Sequence, residues 1–259
     1  MKTLSVILTT YNGAKTIERT ITSIRNQQGI NEKFKLELIV VDDCSADHTV
    51  SLLEQQGIPV LSTGKNSGGP NKGRNIGLKK ASGDYICIAD QDDSWEPHRI
   101  ITLLPYLEQV PIVTSGYTII DNAENRKTTR VKQHKAGYIY FGKNATFLGK
   151  LSRTSSGQNT YPGAIVFRKA LKTVLFEERY GMVDYDWILR LFHQQDAIEV
   201  CNTLYTRFVD GGNLSLNETY RQKDFDYSLM FIKNYSDQYP KEVKTATRKI
   251  YGTMARYYY

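Results

Sequence analysis

Four consecutive polar residues, Asp90, Gln91, Asp92 and Asp93, follow an apolar run and could bind a cation. The run, Tyr85 to Ala89, predicts a short buried strand, and ligands bind at the carboxyl ends of strands in open α/β sheets. Neighbouring carboxylates repel one another unless a cation joins them. Mn²⁺ and Mg²⁺ prefer oxygen ligands, so the spacing indicates a metal–diphosphate site. The alternative is an acidic turn that caps the following helix.

Polar side chains also end the first two predicted strands. Thr9 and Tyr11 follow the first strand, and Asp42 and Asp43 follow the second. The carboxyl ends of parallel strands meet at one edge of a sheet, so these side chains are expected near Asp90. For Tyr11, the alternative is an aromatic side chain packed at a strand end.

A glycine-rich segment, residues 66–77, contains two bases, Lys72 and Arg74. Pro70 suits the first turn of a helix, and a helix N-terminus with added bases favours anions. The spacing is neither that of a Walker P-loop nor that of G-x-G-x-x-G. The alternative is a flexible turn with solvated bases.

Another carboxylate, Asp184, precedes a helical pattern in the second half of the chain. The apolar residues Trp187, Ile188 and Leu191 share one face of this helix. A carboxylate at a helix N-terminus is stabilised and can point into a cleft. The alternative is an ordinary helix N-cap.

The elements that must position these residues alternate between strands and helices, which predicts a parallel, doubly wound α/β sheet. Helices are predicted to open at Pro97 and after Phe167, and residues 121–136 are predicted to form a mobile loop or short hairpin. The predicted strands are 4–8, 36–41, 58–61, 85–89, 112–120 and 197–209.

Composition describes an ordinary globular chain with a basic balance. The 259 residues carry a net charge of +7 and have a pI of about 9.1, which allows nucleotides, phospholipid surfaces or nucleic acid as partners. We find no apolar run of about 20 residues and no signal-peptide pattern. The three cysteines, Cys44, Cys87 and Cys201, lack metal spacing. We therefore expect reduced thiols and a cytoplasmic location.

The C-terminal region differs in pattern from the rest. Phe225, Leu229 and Ile232 predict an amphipathic helix. After Pro240 the chain is basic and aromatic, which is typical of an interfacial helix on the inner face of the plasma membrane. The alternative is a helix packed on the main domain with a solvated basic face. The abrupt ending leaves open that the natural chain continues.

Five segments, in this order and at this spacing, resemble the family 2 glycosyltransferases of GT-A fold. The resemblance is close over residues 3–110, and the Asp-Gln-Asp-Asp-x-Trp form is similar to that of bacterial polysaccharide and O-antigen enzymes. The segments are 6–12 (Val-Ile-Leu-Thr-Thr-Tyr-Asn), 39–47 (Ile-Val-Val-Asp-Asp-Cys-Ser-Ala-Asp), 68–78 (Gly-Gly-Pro-Asn-Lys-Gly-Arg-Asn-Ile-Gly-Leu), 83–86 (Gly-Asp-Tyr-Ile) and 90–95 (Asp-Gln-Asp-Asp-Ser-Trp).

The resemblance implies an inverting, metal-dependent transfer of a sugar from a UDP- or dTDP-sugar. The acceptor would be a hydroxyl of a bacterial cell-surface glycan or lipid-linked saccharide. The implied fold is a GT-A domain over residues 1–216, with a mostly parallel central sheet, followed by a helical extension over 217–259. Within the domain, residues 1–120 would bind the nucleotide sugar, and 121–216 would bind the acceptor and carry the catalytic base.

The resemblance also implies roles for the nucleotide-binding residues. Thr9 and Tyr11 would line the base and ribose pocket. Asp42 or Asp43 would accept a hydrogen bond from the pyrimidine imide. Three further residues complete the predicted nucleotide-binding set: Lys72, Arg74 and Gln91.

For the reaction itself, the resemblance implies a metal site and a base. Asp90 would bind ribose or assist the metal, and Asp92 would ligate Mn²⁺ or Mg²⁺. Asp184 would be the catalytic base, although Val183 stands where family members commonly have Glu. Asp210 stands where they often have His, so it is either a substitute metal ligand or a turn residue.

Two other functions remain open on the residues alone. A nucleotidyltransferase also places carboxylates at strand ends, but it would release pyrophosphate rather than a nucleoside diphosphate. A basic nucleic-acid-binding module would need phosphate-contacting bases spread over one face. The organised motifs here are acidic, so we expect no nucleic acid partner.

Overall fold

The structure is a computed structural model that describes residues 1–154, 157–179, 183–209 and 218–258. Within these ranges the chain forms ten strands, eight α-helices and two short 3-10 helices. The strands are β1 (Lys2–Thr10), β2 (Phe34–Asp42), β3 (Val60–Ser62), β4 (Tyr85–Asp90), β5 (Ser94–Trp95), β6 (Ile112–Asp121), β7 (Arg126–Arg130), β8 (Tyr138–Phe141), β9 (Ile165–Arg168) and β10 (Ala197–Val209). The helices are α1 (Ile17–Arg25), α2 (Thr49–Gln55), α3 (Asn71–Lys80), α4 (Arg99–Leu107), α5 (Ala145–Leu151), α6 (Tyr185–Phe192), α7 (Glu218–Lys233) and α8 (Pro240–Tyr258).

The strands form one mixed sheet in the order β3-β2-β1-β4-β9-β6-β10-β5. Strands β3, β2, β1 and β4 are parallel, as the alternation of strands and helices predicts. Strand β9 is antiparallel to β4 and β6, between which it lies, and β10 runs parallel to β6. Most neighbouring strands in this order are therefore parallel, and β9 joins the β3-β2-β1-β4 half of the sheet to the half that contains β6 and β10.

The register of the central strands determines where the polar strand ends meet. Thr10 pairs with Asp42 across β1 and β2, and Thr9 pairs with Asp90 across β1 and β4. All four residues lie at the carboxyl ends of strands that run in the same direction. The polar residues that end these three strands in sequence are thereby adjacent at one edge of the sheet.

The sheet buries an apolar cluster on each face. One face of α1 packs in the first cluster through Ile17, Ile21 and Ile24, because their spacing places them on the same side of the helix. Trp187 and Leu191 of α6 lie in the second cluster. Each face is covered by helices, which is the layered arrangement expected for an α/β domain.

The C-terminal helices pack against the main body. Ile232 of α7 and three residues of α8, Val243, Ala246 and Ile250, belong to the second apolar cluster. The side of α8 that faces away from this cluster remains exposed. The division at residue 217 is thus not marked by separate packing, and the predicted domain limits remain a prediction.

Two local expectations about helix starts are corrected, and the expected hairpin is found. Helix α4 begins at Arg99 rather than at Pro97, because Ser94 and Trp95 first pair with β10 as strand β5. Only a short 3-10 turn, Lys169–Leu171, follows Phe167. Residues 121–136 contain a hairpin, since β7 pairs antiparallel with β6. No helix in the described part of the chain is both long enough and apolar enough to span a bilayer.

Candidate active site

A cleft of about 630 Å³ opens at the carboxyl ends of β1, β2 and β4. It contains side chains from both halves of the chain, because β10 and the start of α6 border it on the side opposite β2. Most of the residues predicted from sequence line it: Thr9, Tyr11, Asp43, Arg74, Asp90, Gln91, Asp92 and Asp184. Two predicted residues, Asp42 and Lys72, do not.

The loop after β1 is held in place by Gln91. The Gln91 Oε1 accepts hydrogen bonds from the Tyr11 N–H at 2.8 Å and the Thr10 hydroxyl at 2.6 Å, and its Nε2 donates to the Tyr11 carbonyl at 3.1 Å. A Cβ on Gly13 would lie 2.4 Å from the same Oε1, so a larger residue there would displace the Gln91 side chain. The Tyr11 residue is 45% exposed, which is unlike a side chain packed in a core.

The two aspartates that end β2 face different surroundings. The Asp42 carboxylate accepts hydrogen bonds from the Ser45 N–H and hydroxyl, and so shapes the turn before α2. Asp43 accepts from the Ser67 N–H at 2.9 Å and from the Thr63 hydroxyl at 2.7 Å. Of the two, Asp43 lines the cleft, and it also fixes the start of the glycine-rich segment.

The glycine-rich segment lets helix α3 pack closely on the sheet while part of it lines the cleft. A Cβ on Gly77 would lie 2.2 Å from Ile7 Cγ2, and one on Gly73 would lie 3.0 Å from Thr9 Cγ2. These glycines let α3 approach β1 closely. Lys72 donates a hydrogen bond to the Thr63 carbonyl at 2.7 Å, so its ammonium group is directed at the backbone outside the cleft.

Arg74 of α3 forms an ion pair with Asp90 in the wall of the cleft. The two side chains are separated by 2.9 Å and are 6% and 20% exposed. The other Asp90 oxygen accepts from the Tyr161 hydroxyl at 3.3 Å. Because partial burial strengthens such a pair, Arg74 holds the Asp90 carboxylate in a fixed orientation at the end of β4.

Asp93 does not line the cleft, and its side chain is buried. It accepts hydrogen bonds from the Tyr205 hydroxyl and, at 3.3 Å, from the Phe208 N–H. Burial, with the nearby charges of Asp90 and Asp92, raises its pKa well above the usual range. Asp93 therefore ties the acidic loop to β10, which leaves Asp90 and Asp92 as the carboxylates of this motif that line the cleft.

Asp184 occupies the N-cap position of α6 but makes no capping hydrogen bond with its side chain. Burial raises the pKa of its carboxyl to about 6, with the Asp224 and Asp90 carboxylates adding to the effect and the Arg74 guanidinium opposing it. A carboxylate that lines a cleft and titrates near neutrality suits a general base better than a structural cap.

Two other lining residues, Arg207 and Tyr220, were missed by the sequence interpretation. The Arg207 guanidinium lies 5.1 Å from the centre of the Tyr161 ring. Burial lowers its pKa, but the neighbouring Tyr161 hydroxyl and the acidic loop raise it overall, so Arg207 stays charged. The one sequence signal was an arginine inside the otherwise uncharged end of strand β10.

The acidic loop suits a hard divalent cation. Asp90 and Asp92 supply carboxylate oxygens, the ligands that Mn²⁺ and Mg²⁺ prefer, and both line the cleft. The Asp90 oxygens also accept hydrogen bonds from Arg74 and Tyr161. The described residues contain no cluster of three His, Cys, Asp or Glu side chains that could hold an ion alone. Asp210 lies outside the described residues.

The sheet order and the cleft are those of a GT-A fold. A crystal structure of Staphylococcus aureus TarS in complex with UDP is similar, with a TM-score of 0.66 and 22% identity over 90% of this chain and 64% of that chain. Residues 5–175 match the family described as glycosyl transferase family 2. This chain therefore belongs to glycosyl transferase family 2, and with that the nucleotidyltransferase and nucleic-acid alternatives lose their support.

Two relatives extend the comparison. The Campylobacter jejuni GalNAc(5)-diNAcBac-PP-undecaprenol beta-1,3-glucosyltransferase is 36% identical over 91% of this chain and 81% of its own sequence. The S. aureus poly(ribitol-phosphate) beta-N-acetylglucosaminyltransferase TarS is 39% identical over 36% of this chain, and this match spans 17% of TarS. The chain is similar to bacterial glycan glycosyltransferases and corresponds to only part of the longer relatives.

Proposed function

We propose that this protein is an inverting, metal-dependent glycosyltransferase that uses a UDP-sugar, or alternatively a dTDP-sugar. The observation that carries the proposal is that Asp184, with a pKa of about 6, shares one cleft with Thr9, Tyr11 and Asp43. A base and a nucleotide pocket in the same cleft are what transfer from an activated sugar to a hydroxyl requires.

Residues at the carboxyl ends of β1 and β2 form the end of the cleft that would bind the nucleotide. The half-exposed ring of Tyr11 offers an apolar face to the pyrimidine, and Thr9 borders the base and ribose pocket. Asp43 can accept a hydrogen bond from the imide N–H of the base. Its Ser67 and Thr63 partners orient the carboxylate for that purpose. Gln91 keeps the Tyr11 loop in place.

The catalytic end performs a single displacement. Asp184 accepts the proton of the acceptor hydroxyl as the acceptor oxygen attacks the anomeric carbon. The bond from that carbon to the diphosphate oxygen breaks, and the configuration inverts. Arg207 neutralises negative charge that develops on the leaving diphosphate, while Arg74 keeps Asp90 oriented. A bound Mn²⁺ or Mg²⁺, held by Asp92 with Asp90, would supply further neutralisation of this charge.

The acceptor we propose is a hydroxyl of a bacterial cell-surface glycan or a lipid-linked saccharide. The name of the Campylobacter relative contains a saccharide on an undecaprenol diphosphate, and that of TarS contains poly(ribitol-phosphate). The Campylobacter relative is 36% identical to this protein over 91% of this chain. This similarity supports a lipid-linked acceptor for this protein.

A lipid-linked acceptor would bring the protein to a membrane surface, and α8 offers a suitable face. At intervals of three, four or seven residues it exposes what we call the α8 stripe: Lys241, Lys244, Arg248, Tyr251 and Tyr258. Bases with aromatic side chains on one helix face favour an anionic interface. We propose peripheral contact with the inner face of the plasma membrane through this stripe.

A donor screen tests the proposed function. The purified protein is incubated with Mn²⁺ and, one at a time, UDP-glucose, UDP-galactose, UDP-GlcNAc, UDP-GalNAc and dTDP-glucose, and the released nucleoside diphosphate is measured. We expect slow release from one UDP-sugar that is abolished by EDTA and by the Asp184→Asn substitution. Release of pyrophosphate, or tight binding of DNA in place of all five donors, would contradict the proposal.

A further inference from the structure

One face of helix α7 is turned towards the catalytic body. Tyr220, Asp224 and Ser228 are spaced four residues apart, so they lie on the same side of the helix. Ser228 is fully buried, and its hydroxyl accepts a hydrogen bond from Arg153 at 2.7 Å. Phe231 and Ile232 are also buried. These contacts fix α7 against the end of α5, so its first turn has a defined position.

That first turn brings Tyr220 to the cleft that contains Asp184. The Tyr220 side chain is half-buried. Its pKa is raised first by burial and then by the carboxylates of Asp184 and Asp224. Asp184 lines the same cleft as Tyr220, and the Arg74 and Arg207 guanidinium groups, which also line it, oppose this rise in pKa. Tyr220 thus borders the part of the cleft where the base lies.

The acceptor must enter at this part of the cleft, because its hydroxyl has to reach Asp184. An aromatic ring next to carboxylates is a suitable surface for a sugar. The ring face packs against the C–H groups of a pyranose, while the carboxylates accept hydrogen bonds from its hydroxyls. Within the described chain, α7 is the element of the C-terminal region that supplies a lining residue at this place.

We infer that α7 forms the acceptor wall of the active-site cleft, with Tyr220 as an acceptor-binding residue whose ring packs against the pyranose that receives the transferred sugar. This inference rests on the proposed function for the reaction but concerns a different ligand. It assigns to the C-terminal region a role in acceptor selection that is separate from its contact with a membrane.

The test compares Tyr220→Ala, Tyr220→Phe and a matched control, Tyr227→Ala. Tyr227 lies on the same helix and is also half-buried, but it does not line the cleft. The probes are octyl β-glycosides of glucose, galactose, GlcNAc and GalNAc. Their binding is measured by saturation-transfer NMR in the presence of UDP and Mn²⁺, and their KM is measured by UDP release with the donor found in the screen.

We expect Tyr220→Ala to weaken binding of the preferred glycoside about tenfold or more, as truncation of an aromatic anchor does, and to raise its KM equally. The Kd for UDP should not change. Tyr220→Phe should stay within about threefold of wild type, because the ring is retained, and Tyr227→Ala should match wild type.

Three outcomes would overturn the inference. One is glycoside binding by Tyr220→Ala that equals wild type, and another is an effect confined to UDP affinity. The third is a wild-type protein that binds none of the four glycosides. Failure of the proposed function looks different, since no donor would be consumed while the binding comparison still separates the three variants.

Discussion

Replacing Asp184 by asparagine should destroy transfer while making the protein more stable. Burial raises the pKa of Asp184 from its usual 3.8 to about 6. Each pKa unit corresponds to about 1.4 kcal/mol, so the ionised carboxylate destabilises the folded protein by about 3 kcal/mol. A neutral amide avoids this effect. If Asp184 acted as an N-cap, replacing it by alanine would lower the free energy of unfolding by about 1 kcal/mol. Asp184 makes no capping hydrogen bond, so we do not expect this loss.

The sign of the pH dependence follows from the direction of the pKa change. Between pH 3.8 and about 6, the folded protein holds the Asp184 proton more tightly than the unfolded chain. Its free energy of unfolding therefore falls as pH rises through this window and remains lower above it. The Asp184→Asn variant lacks this contribution. Wild type and variant should be equally stable near pH 3.8 and should differ by up to about 3 kcal/mol at pH 7.

The rate of sugar transfer should rise with pH over the window in which the stability falls. Only the ionised Asp184 can accept a proton, so kcat/KM of the wild type should decline below pH 6. The Asn variant should lose this acid limb and should transfer about 10² to 10⁴ times more slowly. Its Kd for UDP should be close to that of wild type, because the predicted nucleotide contacts lie at the ends of β1 and β2.

The assays are urea unfolding of the metal-free protein without donor at pH 4 and 7, and UDP release in the presence of an acceptor. Asp186→Asn is the matched control, since Asp186 lies on the same helix and pairs with Arg190 at 2.6 Å outside the cleft. An Asp184→Asn variant that transfers at the wild-type rate would remove Asp184 from the mechanism. A variant with unchanged pH dependence of unfolding would refute the electrostatic reasoning.

Three further predictions concern the metal, the buried ion pair and the membrane. Asp92→Ala should abolish the Mn²⁺-dependent increase in UDP affinity in calorimetry and leave the melting temperature unchanged; an increase that persists would exclude Asp92 as a ligand. Arg74→Ala should lower the free energy of unfolding by about 3 kcal/mol in urea, because it leaves the Asp90 carboxylate unpaired; an unchanged value would show that the pair contributes little. Replacing the three bases of the α8 stripe by glutamine should lower the binding constant for anionic liposomes, measured by sedimentation, more than a hundredfold, since each base contributes about 1 kcal/mol. UDP release should not slow. Equal liposome binding by variant and wild type would place any membrane contact elsewhere.

Much of the nucleotide half could be predicted because its signals are local. A strand that ends in Asp42 and Asp43, and another that ends in Asp90, are each visible within ten residues. Parallel strands bring such ends together whatever the details of packing. The family resemblance was confirmed over residues 5–175. The strand over Ala197–Val209 was predicted with its observed limits, because a 13-residue β-rich run bounded by turn residues has few alternatives.

The sequence by itself determined the strand ends, the helix faces and the position of Asp184 before α6, since each depends on spacing within one element. Only the tertiary structure decided which polar residues share the cleft. It turned Asp93 inward to Tyr205, directed Lys72 to a backbone carbonyl, and brought Arg207 and Tyr220 to the cleft from distant elements. The placement of Asp93, Arg207 and Tyr220 depends on how β10 and α7 pack against the first half of the chain, and contacts between residues more than a hundred positions apart leave no periodic signal in the sequence.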